Sequence, residues 1–158
     1  MGVDPGLNCT GIGIVQAWPG KVEYVAHRIV RTDSSESLPQ RLSVICTGIR
    51  EAVEEFKPSC SAVEDVFYSV NVKSAMLLGQ TRGAIIATLL AGGLEVREFT
   101  ALQIKKAVVG YGKADKQQVK KMVEVLLGRS FTSVPVDATD ALACGICLGL
   151  NLTGRVFK

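Results

Sequence analysis

Four carboxylates in this 158-residue sequence stand where a folded chain has little structural use for them. Asp4 interrupts GVDPG just ahead of the glycine-spaced stretch LNCTGIGIV. Glu64 lies in SAVEDVF, where Ala62, Val63 and Val66 mark a strand built for burial. Asp137 and Asp140 stand three apart at the start of the apolar run VDATDALACGICLGL, so on a helix they share one face of its first turn. Singly, each has a plain explanation: Asp4 as the start of an Asp-Pro-Gly turn, Asp137 as a helix N-cap. Taken together they suggest a convergent tetrad. Two unit charges about 4 Å apart repel by roughly 4 kcal/mol at an effective dielectric of 20, and divalent cations are the usual compensation. An all-oxygen donor set favours Mg²⁺ or Mn²⁺ over Zn²⁺. Two such ions about 3.5 to 4 Å apart suit hydrolysis of a phosphodiester.

The elements that must position these acids are legible from periodicity. Residues 11–18 and 22–31 are rich in β-branched and alternating apolar side chains around Pro19-Gly20, which predicts a hairpin. With the short stub before Asp4 they form a three-stranded antiparallel meander. From Leu38, the apolar residues Leu42, Ile45, Ile49, Val53 and Phe56 recur at helical steps until Pro58. SAVEDVF (61–67) is a strand, 72–91 a second helix and LEVREF (94–99) a further strand. Thr100 caps a short helix over 101–109; a third long helix runs from about Ala114 to Leu127 with Gly128 behind it, and a last one from about Asp137 to Leu150. The order predicts an α/β fold: a mixed five-stranded sheet, three strands antiparallel and then parallel ones, with helices on both faces. The helix at 72–91, apolar on more than one face, is expected to be buried on several sides or to form part of a dimer seam.

Composition narrows the function classes. Hydrophobic residues make up 47% and charged ones 21%, which fits a single domain over 1–158 that buries roughly two thirds of its unfolded surface. No leader pattern is present and no apolar run approaches the roughly 18 residues of a membrane span, so a cytoplasmic protein without a membrane partner is expected. Net charge is only +3, yet residues 105–121 hold six lysines and one aspartate, leaving the rest slightly acidic. The five cysteines have no framework spacing; Cys144 and Cys147 form a CxxC inside an apolar helix with no second pair to complete a zinc site, and are expected in the core. His27 has no acidic or cysteine neighbour and receives no role.

The segments DPGLNCTGIGIV, VEDVFYSVNVKSAMLLGQTRG, LQIKKAVVGYGKADKQQV and VDATDALACGICLGL, in this order across nearly the whole chain, resemble the RuvC Holliday junction resolvases. The resemblance implies an RNase H-like fold, a homodimer, and an endonuclease with two Mg²⁺ per site, Mn²⁺ able to substitute, that nicks two like-polarity strands of a four-way DNA junction. It makes Asp4, Glu64, Asp137 and Asp140 the catalytic and metal-binding acids. It assigns Phe67 to stacking on bases near the crossover, worth about 1 to 3 kcal/mol per base, and Lys105 and Lys116 to the DNA backbone, with Arg82, Lys113 and Lys120 as further contacts. A branch-migration complex of the RuvAB type becomes a candidate partner. Family members carry several apolar residues ahead of the first aspartate; only Met1, Gly2 and Val3 stand there in this sequence, so a clipped first strand and a natural start upstream are expected.

Three other readings compete. A related RNase H-like nuclease of the YqgF type, acting on RNA or ordinary duplex, would share the acids, but Phe67 and KKAVVGYGKADK argue against it. DPGLNCTGIGIV also resembles the first phosphate loop of sugar kinase and actin-like ATPases, which need two such domains. A non-catalytic junction-binding protein is disfavoured by the complete tetrad.

Overall fold

The computed structural model describes residues 1–65 and 71–154. Its elements run β1 (Gly2–Asp4), β2 (Cys9–Trp18), β3 (Lys21–Arg31), α1 (Leu38–Phe56), β4 (Ser61–Asp65), α2 (Val72–Ala91), β5 (Val96–Thr100), α3 (Ala101–Val109), α4 (Lys116–Leu127) and α5 (Val136–Leu152). The five strands form one sheet in the order β3-β2-β1-β4-β5. β1, β2 and β3 pair antiparallel, and β1–β4 and β4–β5 pair parallel, as the hairpin start and the later strand–helix alternation predict.

Local chemistry sets the boundaries. Gly20, at φ 89°, takes the left-handed position that closes the β2–β3 hairpin after Pro19. Thr100 and Gln103 form a capping box at the start of α3, with the Gln103 N–H donating to Thr100 Oγ1 at 3.2 Å and the Thr100 N–H to Gln103 Oε1 at 2.8 Å. Asp115 and Gln118 repeat it on α4, which therefore begins at Lys116 rather than Ala114. β5 begins at Val96, two residues later than the apolar pattern suggests, and Leu94 is buried just ahead of it.

Each face of the sheet has its own core. Val3, Ile12, Ile14 and Val63 point toward α1 and α2 and pack with Ile45, Ile49, Ile85 and Leu89. Ala62 and Phe99 point the other way, toward α3, α4 and α5, and pack with Ile104, Val119, Leu142 and Ile146. Alternation along the strands therefore decides which side receives Asp4 and Glu64. They lie on the α5 side, two residues along from Gly2 and Ala62.

Of the two expectations for the second helix, burial on several sides is corrected. Only Thr81, Ile85 and Leu89 of α2 are fully buried, a single stripe at four-residue spacing, while Val72, Met76 and Leu90 are 73%, 62% and 55% exposed. α2 rests on α1, β4 and β5 along that one stripe, and among the described residues nothing covers its remaining apolar surface. By length and composition alone α2 is apolar enough to cross a membrane, which corrects the expectation that no apolar run approaches that length; the core helix of a soluble protein passes the same test. The helix enclosed on all sides is α5, buried almost continuously from Ala138 to Leu150 and including Cys144 and Cys147.

Candidate active site

Asp4 ends β1, opposite Gly11 of β2, and Glu64 is the penultimate residue of β4. The β1–β4 register pairs Val3 with Val63, so Asp4 and Glu64 sit side by side at the carboxyl ends of neighbouring parallel strands. α5 brings the other two acids because it lies almost on the strand backbones. A Cβ built on Gly11 would stand 2.0 Å from the Asp137 carbonyl oxygen, and one on Gly13 would stand 2.5 Å from the Leu142 nitrogen. Only glycine lets the first turns of α5 approach the end of β1 this closely.

Asp4, Glu64 and Asp140 line one cavity of about 200 Å³, together with Lys105 of α3 and Lys116 of α4. Ala101, Ile104, Val119 and Ala143 supply its apolar wall. Lys116 Nζ donates to Asp140 Oδ2 at 3.2 Å. Asp137 is not part of that wall. Residues three apart on a helix diverge by about 60°, which turns Asp137 away from the cavity and toward the Cys9 thiol. Burial first, and then Asp137, push the Cys9 thiol up to about 11.

The electrostatics are those of acids held together without enough positive charge. Burial first, then Glu64, Asp140 and Asp137, push the Asp4 carboxyl up to about 8. Burial and Asp140 push Glu64 up to about 7, with Lys116 and Lys105 pulling the other way. Asp140 in turn raises the Lys116 ammonium above its ordinary value. Among the described residues no three Asp, Glu, His or Cys side chains stand close enough to hold a metal ion as they are. The tetrad is thus looser than the sequence suggests, three acids around a cavity and one at its flank, as mutual repulsion would leave them. The donor set still fits a hard divalent cation: it offers carboxylate oxygens, and its unfavourable charge is of the kind a cation relieves.

The loop after Asp4 is held by contacts that sequence periodicity does not reveal. The buried Thr10 hydroxyl donates to the Gly6 carbonyl at 2.7 Å, and the Thr32 hydroxyl to the Leu7 carbonyl at 2.6 Å. Arg41 of α1 donates through Nε to Thr32 Oγ1 at 2.9 Å, to the Leu7 carbonyl at 3.3 Å, and to the Asn8 side chain. Of the other expected DNA contacts, Lys113 is exposed between α3 and α4 and Lys120 is half-buried on α4, neither of them on the cavity wall. Arg82 pairs with Asp65 and Glu98, so its guanidinium is engaged by protein carboxylates. Phe67 lies outside the described residues, as does Tyr68 beside it.

A mixed sheet in which an acid-bearing middle strand joins an antiparallel hairpin to two parallel strands, with a second acid at the next strand end, defines an RNase H-like α/β protein. Residues 1–148 match the family described as crossover junction endodeoxyribonuclease RuvC, and the chain belongs to that family. It is 48% identical over 147 residues to the crossover junction endodeoxyribonuclease RuvC of Cupriavidus metallidurans, covering 93% of this chain and 81% of that one. The Aromatoleum aromaticum protein of the same name is 49% identical over 147 residues, with coverages of 93% and 78%. Among solved structures, T. thermophilus RuvC in complex with a Holliday junction substrate superposes with a TM-score of 0.91 at 28% identity, covering 97% of this chain and 93% of that one.

Proposed function

We propose that this chain is a metal-dependent resolvase of four-way DNA junctions, a single catalytic domain acting in the cytoplasm as a homodimer that nicks two strands of like polarity. The observation that carries the reading is the grouping of Asp4, Glu64 and Asp140 around one cavity walled by Lys105 and Lys116. The likeness to a structure solved with a Holliday junction supports the choice of substrate. The uncovered apolar face of α2, with Val72, Met76 and Leu90, supports a second copy, since two sites related by a two-fold axis match two strands of a symmetric junction.

Asp4, Glu64 and Asp140, with Asp137 at the flank, would hold two Mg²⁺, Mn²⁺ substituting. When bound, such ions supply an activated water and charge stabilisation for the leaving oxygen. The protein's own groups do the rest. Asp4 and Glu64, raised to about 8 and about 7, would have to give up their protons to hold cations, so rising pH would favour loading of the site. Lys116, now on Asp140, and Lys105 beside Glu64 stand where a phosphate entering the cavity needs cationic partners. Ile104 and Val119 give the cavity an apolar wall beside the acids.

The test is strand cleavage of a synthetic four-way junction with Mg²⁺, comparing the chain with Asp4→Asn and including linear duplex. Paired nicks near the crossover that vanish in the variant and are absent on duplex are expected. Equal cleavage of duplex or of an RNA hybrid would overturn the choice of substrate, and junction binding without cleavage would leave only the binding role.

A further inference from the structure

Arg82 approaches the site from the face of the sheet opposite the cavity. It stands on α2, and its Nε donates to the backbone carbonyl of Glu64 at 3.3 Å. The same guanidinium pairs with Asp65 at 3.3 Å and with Glu98 of β5. Asp65 follows Glu64 in β4, and Glu98 is the register partner of Val63, so both acids flank Glu64 on the α2 side of the sheet.

The need for an outside donor follows from the ladder between β1 and β4. The Ala62 N–H donates to the Met1 carbonyl at 2.8 Å, and in a parallel pair the bonds then alternate every second residue. Carried forward, that alternation brings the Glu64 carbonyl to the nitrogen of residue 5. Residue 5 is Pro5, which has no hydrogen to give, and the β1–β4 ladder accordingly stops at Val3 and Val63. The strand end that carries Glu64 thus loses its last ladder bond where its carboxylate must be fixed. Arg82 supplies the missing donor and also neutralises two carboxylates beside a site already crowded with negative charge.

We infer that Arg82 is a positioning residue: it replaces the hydrogen bond Pro5 cannot make, and so fixes Glu64 for cation binding. This rests on Glu64 being a metal ligand, and it replaces the expectation that Arg82 contacts DNA. Arg82→Lys keeps one charge but cannot satisfy a carbonyl and two carboxylates together.

The experiment compares wild type, Arg82→Gln, Arg82→Lys and the double variant Asp65→Asn/Glu98→Gln in three measurements. These are Mn²⁺ binding by calorimetry, junction binding in EDTA, and the Mg²⁺ dependence of junction cleavage. Arg82→Gln is expected to weaken Mn²⁺ binding and raise the half-saturating Mg²⁺ by about tenfold, with kcat lowered, junction affinity in EDTA unchanged and Arg82→Lys intermediate. The double variant, which keeps the donor to Glu64 but loses both anchors of the guanidinium, should show a smaller rise of the same kind. Weaker junction binding with unchanged metal dependence would make Arg82 a phosphate contact and overturn the inference. A lower Tm with unchanged Mn²⁺ affinity would leave it only a structural ion pair and overturn it equally. If wild type binds Mn²⁺ without cleaving junctions, the proposed activity fails, while the calorimetric comparison still decides the role of Arg82. If wild type binds no Mn²⁺, both fall.

Discussion

α2 and α5 are both long apolar helices rich in small residues, yet the chain treats them in opposite ways. α5 crosses the middle of the sheet over β1 and β2, is buried along nearly its whole length, and carries Asp137 and Asp140. α2 lies over β4 and β5, buries one stripe and leaves Val72, Met76 and Leu90 open. What separates them is the surface each one meets. Gly11 and Gly13 of β2 present bare backbone, so α5 descends onto the strands, whereas among the described residues no atom beyond their own turns of helix lies within 4 Å of where a Cβ would stand on Gly79 and Gly83 of α2. A catalytic acid on a helix needs the first kind of seat, because its reach is fixed by how closely the helix backbone approaches the strand ends.

The sharpest way to break this contrast is to add a methyl group on each side of it. Gly11→Ala would place Cβ 2.0 Å from the Asp137 carbonyl oxygen, backbone against backbone, so α5 must lift from β2. A loss of about 3 kcal/mol or more is expected in urea denaturation. Whatever folded protein remains should cleave at least 100-fold more slowly, since Asp137 and Asp140 move with the helix. Near wild-type stability for Gly11→Ala would show that the close seat of α5 is not what holds the acids.

A second, smaller effect separates the charge of the site from its packing. The Asp4 carboxyl stands at 3.8 when unfolded and about 8 when folded, and Glu64 shifts in the same direction, from 4.5 to about 7. Between roughly pH 4 and 8 the folded metal-free protein therefore holds protons that the unfolded chain has released. That contribution is complete below about pH 4 and is lost as pH rises through 8. The Tm of the metal-free protein should fall from pH 5 to pH 8. Asp4→Asn should remove much of that slope and be more stable at pH 8, by on the order of 1 to 2 kcal/mol, roughly 2 to 8 °C. Adding Mg²⁺ should reverse the ranking, since only the wild type gains from it. A flat pH profile for the metal-free wild type would mean that neither burial nor the neighbouring acids holds these carboxyls protonated.

Much of the fold was open to reading because its signals are local. Pro19-Gly20, the Thr100 cap and Gly128 mark ends that the structure keeps within two residues, and the acid in SAVEDVF lies at a strand end as its apolar neighbours imply. What escaped depends on contacts distant in sequence. Apolar composition does not say which helix crosses the centre of the sheet; the clue lay in Gly11 and Gly13, whose Cβ-free faces only make sense against another backbone. The three-residue spacing of Asp137 and Asp140 gives a shared face, but the remaining 60° sends Asp140 into the cavity and Asp137 toward Cys9. The tie from Arg82 to the Glu64 carbonyl has no periodicity at all, and the sequence feature that goes with it is a proline just past the end of a different strand.

The mildest substitution turns the open side of the comparison into a measurement. Gly79→Ala adds a methyl group in the interior of α2, where no atom of the described residues beyond its own turn of helix stands within 4 Å, so the gain is that of removing a helix glycine, about 0.5 to 1 kcal/mol. In dilute solution a small rise in Tm is the expected outcome. The face that Gly79 shares with other exposed apolar residues is also the one proposed to meet a second copy, and small residues permit close approach of two helices there. If two copies close on Gly79, the gain should shrink or reverse as chain concentration rises, and sedimentation should show weaker association of the variant. If the gain is the same at every concentration while the wild type still dimerises, the dimer uses another surface and the apolar stripe of α2 needs a different partner. The same methyl group that would break the seat of α5 thus reports, on α2, whether its uncovered face is occupied.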